Sequence, residues 1–144
     1  MVMEQATLTT LEKVIFLKSV DIFRHATIEE LGGVAALTEE VHFAPGETIY
    51  RNGDPIDAIY LILKGRVVVE GNGKVVRDIG ERQAFGTVAA LDLKPAIHTV
   101  RAVDPVSALK LNTQDLQDLL SLDFELVQSV IRALCGLVRE FAGR

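Results

Sequence analysis

The sequence predicts an α+β domain in which helices flank a small β-sandwich or β-roll. Three observations carry this. Residues 8–40 hold helical spacing and a capping motif. Residues 41–111 alternate and break at Gly, Asn and Pro. Residues 112–144 return to helical spacing. The chain has 144 residues, of which 49% are hydrophobic, so it is one domain with enough apolar volume for a core.

The elements follow in order. In LTTLEKVIFLKSVDIFR (8–24), Leu11, Val14, Ile15 and Lys18 recur at helical spacing and predict a short amphipathic helix. Thr27 and Glu30 form a T-x-x-E capping box that opens a second helix through TIEELGGVAALTEE, weakened inside by Gly32 and Gly33. VHFAPGETIY then alternates around a Pro45-Gly46 turn, and RNGDPIDA (51–58) is a turn cluster. IYLILKG runs into RVVVE, and Asn72-Gly73 marks a hairpin tip before the return strand KVVRDIG. Gly71-Asn72-Gly73 is no nucleotide loop, because no helix follows it. HTVRAVDPVSALKL supplies two more strands joined at Asp104-Pro105. Seven or eight short strands result. NTQDLQDLLS reads as a short helix, and residues 124–144 as a long one ended by Gly143.

Composition excludes several classes. A net charge of -5 argues against a nucleic-acid-binding surface. Cys135 is the only cysteine, so no internal disulfide forms and no oxidising compartment is required. There is no apolar run of about 18 residues to span a membrane. The opening MVMEQATLTT has no basic region and is not a signal peptide, which predicts a cytoplasmic chain. His25, His42 and His98 show no metal-ligand spacing. Catalysis has no support: there is no nucleophile elbow, no Cys/His pair and no carboxylate cluster within one motif. The acidic pairs Glu29-Glu30 and Glu39-Glu40 read as solvated helix faces.

The stretch FGTVAALDLKPAIHT (85–99) has the outline of a phosphate-binding cassette: a Gly turn, a short helix, a Pro and a strand. It carries Asp92 and Lys94 but no arginine. With APGETIYRNGDPIDAIYLILKGRVVV before it and P-x-x-x-T-V at 95–100, the chain resembles the cyclic nucleotide-binding domain family over residues 10–143. The glycine framework matches at Gly46, Gly53, Gly65, Gly80 and Gly86. The resemblance implies an eight-stranded antiparallel, jelly-roll-like β-roll, flanked by N-terminal helices and a long C-terminal helix. It implies one domain over residues 1–144: helices in 8–40, the roll in 41–111 with the cassette at 85–99, and helices in 112–144. It also implies a cyclic nucleotide or other small anionic ligand, held by Phe85, Gly86, Thr87, Val88, Ala89, Ala96, Ile97, His98 and Thr99, with no metal and no other cofactor.

Two family side chains are missing. The glutamate that binds the ribose hydroxyl aligns with Thr87, and the arginine that binds the cyclic phosphate aligns with Ala96. A guanidinium answers two phosphate oxygens at once through parallel charge-assisted bonds. Each lost hydrogen bond to a charged group removes roughly 1.5–3 kcal/mol. The two losses together weaken binding by about 100- to 10,000-fold if additive. Ile97 adds bulk and brings the prospect of steric exclusion. Alternation places Ala96, His98, Val100 and Ala102 on one inward face. His98 there is either an imidazolium for an anion or a neutral ring bonded to a backbone carbonyl. The Thr87 hydroxyl either meets a ligand hydroxyl or caps the cassette helix, and capping is the expectation.

In the long helix, Val127, Val130, Leu134, Leu137 and Phe141 step by 3 and 4, a heptad seam, with Phe124, Ile131 and Val138 as a second stripe. In the resembling family this helix is a lid over the ligand and a dimer or relay element. The partners implied are a homodimer or an output domain reached through it. Family transcription factors carry a helix-turn-helix after this helix. None precedes Arg144, so the expectation is a free-standing sensor or one module of a longer protein. The leading reading is a non-enzymatic regulatory module whose C-terminal helix moves on ligand binding. The alternatives are a structural or dimerisation domain without ligand, and a cyclic nucleotide receptor with atypical contacts.

Overall fold

The computed structural model describes residues 8–143. Residues 1–7, most of the stretch weighed as a leader, and Arg144 lie outside the described residues. Helix α1 (Thr10–Ser19) leads through a 3-10 turn (Asp21–Phe23) to α2 (Ile28–Ala35). Eight strands follow: β1 (Thr38–Phe43), β2 (Thr48–Tyr50), β3 (Ala58–Lys64), β4 (Val67–Gly71), β5 (Lys74–Ile79), β6 (Ala84–Phe85), β7 (Thr99–Ala102) and β8 (Val106–Asn112). Helix α3 (Thr87–Asp92) sits between β6 and β7, and α4 (Thr113–Leu122) and α5 (Phe124–Ala142) close the chain. All pairings are antiparallel. The strands form two four-stranded sheets, ordered β1-β8-β3-β6 and β2-β7-β4-β5. This is the predicted α+β roll with flanking helices.

The apolar run of β3 has a direct cause. Its Ile59 and Leu61 pack into a helical core with Leu17, Phe23, Leu31 and Leu126, while Ile62 faces the roll interior with Val69, Phe85 and Val100. A strand buried on both faces reads as continuous hydrophobics because successive side chains point to opposite sides. The first sheet is therefore a wall between two cores.

Local signals place the ends of the elements. Both bonds of the Thr27/Glu30 capping box form. A second box, Thr9 with Glu12, opens α1 and escaped the sequence reading. Asn72 (φ 54°) and Gly73 (φ 75°) make the β4–β5 hairpin tip, as the Asn-Gly pair requires. Two local expectations need correcting. In α1 the buried face is Val14 and Leu17, whereas Leu11 and Ile15 are exposed; the 3-10 turn, not a continuing helix, fixes which side meets the core. Helix α2 ends at Ala35 and Thr38 is already strand, because pairing with Leu111 of β8 overrides weak helical propensity after two glycines.

Candidate functional site

The site expected from the sequence is assembled by β6, α3 and the segment leading into β7. β6 pairs with β3 through Phe85 opposite Tyr60. Gly86 follows in the left-handed region at φ 83°, and a Cβ there would sit 2.9 Å from the Ala58 carbonyl oxygen. Only glycine allows the chain to turn this close to β3. Helix α3 then starts at Thr87. The N-cap is Gly86, with no side-chain cap bond. The expectation that Thr87 caps the helix is thus corrected: it is the first helical residue, one position too late. It is half-buried, and its hydroxyl has no hydrogen bond among the described residues. Val88 is exposed and Ala89 half-buried, while Ala90 is buried against α4, whose Gln117 amide donates to the Ala90 carbonyl at 3.3 Å. The helix ends on Leu93 in the left-handed region (φ 60°).

The exit is sealed by the β2–β3 turn. The Ala96 N–H donates to the Asp54 carbonyl at 2.9 Å, and the Gly53 N–H donates to the Ala96 carbonyl at 2.7 Å. The Asn52 N–H donates to Thr99 Oγ1 at 3.1 Å, and the Arg51 N–H to Asp54 Oδ2 at 2.9 Å. Ala96, expected from the resemblance at the phosphate-arginine position, is 6% exposed. Its neighbour Ile97 is 71% exposed. Steric exclusion by Ile97 is therefore not what the structure holds, because the backbone bonds of Ala96 turn the next side chain to solvent.

His98 precedes β7 rather than lying in it, and is half-buried. Its ring covers the backbone of Gly71 at the end of β4: a Cβ on Gly71 would meet His98 Cδ2 at 2.9 Å and Nε2 at 3.4 Å. The backbone-carbonyl bond expected as one alternative is not made, since the imidazole has no hydrogen bond among the described residues. Its place is set by shape, with a glycine providing the flat surface beneath the ring. Val100 and Ala102 of β7 are buried and Thr99 and Arg101 half-buried, so the predicted alternation holds within the strand.

Four aromatic rings occupy the roll beneath the cassette. Tyr60 and Phe85 stack at 5.0 Å with 13° between planes, Tyr50 lies 6.1 Å from Phe85, and Phe43 meets Tyr60 edge-on at 5.7 Å. Burial, with Tyr60 adding to it, pushes the Tyr50 phenol up to about 12. It stays protonated at neutral pH and can only donate or share a proton, never offer a charge.

No residue of 85–99 takes part in an ion pair among the described residues. Arg101, the arginine nearest in sequence, is held by Glu70 through two bonds, Nε to Oε1 at 3.2 Å and Nη2 to Oε2 at 2.8 Å. It lies on the face of β7 opposite Val100 and Ala102. No sequence signal pairs it with Glu70; only the register, which pairs Glu70 with Thr99 and Val68 with Arg101, brings the two together. Among the described residues no His, Cys, Asp or Glu group could hold a metal ion, and no helix is long and apolar enough to cross a membrane.

The long-helix residues separate by face. Val130 is buried, Val127, Leu134 and Leu137 are half-buried, and Phe141 is 55% exposed. Most of the expected seam turns into the domain. The second stripe is the open one: Phe124, Ile131 and Val138 are 72%, 53% and 65% exposed.

This glycine-framed roll, helix and exit strand agree with a known pattern. A family model described as the cyclic nucleotide-binding domain matches residues 40–123, more than half of the chain. The chain belongs to the cyclic nucleotide-binding domain family. Among curated members it is 34% identical over 107 residues to a cAMP-dependent protein kinase regulatory subunit of Dictyostelium discoideum, covering 69% of this chain and 33% of that protein. The chain spans a third or less of the length of the first such relatives it matches. Among solved structures, the N-terminal domain of a transcriptional regulator from Streptomyces coelicolor A3(2) superposes with a TM-score of 0.75 at 26% identity, covering 89% of this chain and 93% of that one. The regulatory subunit of a cAMP-independent protein kinase A from Trypanosoma brucei gives 0.77 at 25% identity, covering 90% and 46%. This cyclic nucleotide-binding domain thus shares the family fold, and its segment 85–99 holds no arginine.

Proposed function

We propose that the chain is a non-enzymatic regulatory module that keeps the cyclic nucleotide-binding frame, binds cyclic AMP and cyclic GMP weakly, and signals through the position of α5. One observation supports this reading: Ala96, which the resemblance sets at the phosphate-arginine position, is buried with its backbone tied to Gly53 and Asp54. What remains for an anion is the backbone of the Gly86 turn, with Lys94 and His98 as the cassette's basic side chains. A six-residue helix start is a weak substitute for a bidentate guanidinium. The Dictyostelium relative is named for cyclic AMP dependence and the Trypanosoma neighbour for independence of it, so the fold serves both. Titration calorimetry with cyclic AMP and cyclic GMP tests the reading. The expected result is no saturation below the millimolar range; saturation at micromolar nucleotide would overturn it.

A second reading has its own observation. Phe124, Ile131 and Val138 are exposed at seven-residue intervals, and with Val127, Leu134 and Phe141 they complete an a/d heptad pattern along α5. A homodimer, or an output domain in its place, would cover this face. Two to three heptads are short for a free coiled coil, so the contact would need help elsewhere. Sedimentation at micromolar concentration, with Ile131→Glu as the disruptive variant, separates monomer from dimer.

A further inference from the structure

The charges missing from the cassette gather elsewhere. A cleft of about 310 Å³ lies between the 3-10 turn, β5 and the last turns of α5, lined by Asp21, Arg24, Arg77, Asp78, Leu137 and Phe141 among others. The Arg24 guanidinium lies across α5 at Gly136, where a Cβ would stand 3.2 Å from Nη2. Arg77 of β5 faces the Phe141 ring, 5.6 Å from its centroid. Neither arginine has an ion pair within 4 Å among the described residues, and Asp78 is taken by Arg66 at 2.8 Å. The buried residues of α5 are Leu126, Ser129, Val130 and Ala133. After Ala133 the helix has no fully buried side chain: Leu134 packs half-buried against the helical core, Leu137 is half-buried, and residues 138–143 are exposed, so the core holds the far end only lightly.

We propose that Arg24 and Arg77 form a clasp that holds the last two turns of α5 against the roll, and that opening this clasp releases the helix end whether or not the cassette is occupied. The two arginines come from different elements, the end of the 3-10 turn and β5, and engage successive turns at Gly136 and Phe141. Gly136 is the opening through which Arg24 reaches across. A helix end with little buried surface opens locally while the rest stays folded. A partner that binds only the open form draws α5 away by its preference for that form.

Hydrogen exchange on the whole chain without nucleotide tests the clasp. In Arg24→Ala/Arg77→Ala, amides of residues 136–142 are expected to exchange about tenfold faster or more, while those of Leu61 and Leu109 in the roll keep their rates. Unchanged exchange at the helix end, or equal acceleration in the roll, would overturn it. Gly136→Leu gives an opposed sign. Leucine is the better helix former, so propensity alone slows exchange; displacement of Arg24 speeds it. Slower exchange in that variant defeats the proposal. Nucleotide affinity does not enter either measurement, so the clasp and the weak cassette stand or fall separately.

Discussion

The cassette and the foot of α5 are built on opposite terms. The cassette keeps its backbone geometry and has neutral side chains at Thr87, Ala96 and Ile97. The foot of α5 has little buried surface and is rich in charge, with Arg24, Arg77, Asp21, Asp78 and Glu140 around one cleft. The first region can present backbone N–H groups but no guanidinium. The second can respond to charge but has no cassette geometry. A fold thus persists where backbone and glycines persist, and its electrostatics can act on a helix instead of on a ligand in the roll.

The largest effect breaks this comparison from the cassette side. Thr87→Glu/Ala96→Arg returns the two missing groups, and calorimetry should show affinity for cyclic AMP rising by about 100- to 10,000-fold. No gain would mean that the aromatic filling of the roll, rather than the missing charges, limits binding. Next comes the frame itself. Gly86→Ala places a Cβ against the Ala58 carbonyl at a positive φ, and chemical denaturation should show a loss of about 1–3 kcal/mol.

The foot of α5 gives smaller effects. Burial raises the Asp21 carboxyl above its ordinary value, against the opposing pull of its own Ile22 N–H and of Arg24 and Arg77; Glu140 adds to the rise. A carboxyl raised on folding favours the folded state when protonated. That advantage is present below the unfolded value and is lost as pH rises through the folded one. Asp21→Asn, which keeps the acceptor for the Ile22 N–H, should therefore raise the melting temperature at pH 7 and lose that advantage towards pH 3. The smallest effect is at Glu70, whose carboxyl is held below its ordinary value by the Arg101 hydrogen bonds. Its contribution is present above the unfolded glutamate value of about 4.3 and is lost as pH falls through the lower folded one. Glu70→Gln should lower the melting temperature slightly in the neutral range, where that contribution is present, and the two curves should converge as pH falls through the acidic range.

Much of the fold was legible. The Asn72-Gly73 tip, the Pro45-Gly46 and Asp104-Pro105 turns, the Thr27/Glu30 box and the double-faced run of β3 are local signals, each with its cause inside a few residues. The α1 face was misread because Leu11, Val14 and Ile15 are equally apolar; which of them is buried depends on where the 3-10 turn sends the chain. At the site, the absence of arginine at Ala96 and of acid at Thr87 was visible in the letters. The turn that seals Ala96, the ring of His98 lying on Gly71 and the Glu70–Arg101 pair were not. Each joins segments tens of positions apart in the chain, and no periodicity encodes them.

By itself the sequence determined the glycine framework, the order of elements and the chemistry absent from the cassette, because these depend on residue identity and short spacing. Only the tertiary structure decided which stripe of α5 is open, what His98 touches and where the charged groups meet. Val130 and Ile131 are neighbours of similar hydropathy; the core takes one and leaves the other to solvent. Arg24, Arg77 and α5 come together because sheet register and helix packing carry distant segments to one cleft, and that placement is a property of the folded chain alone.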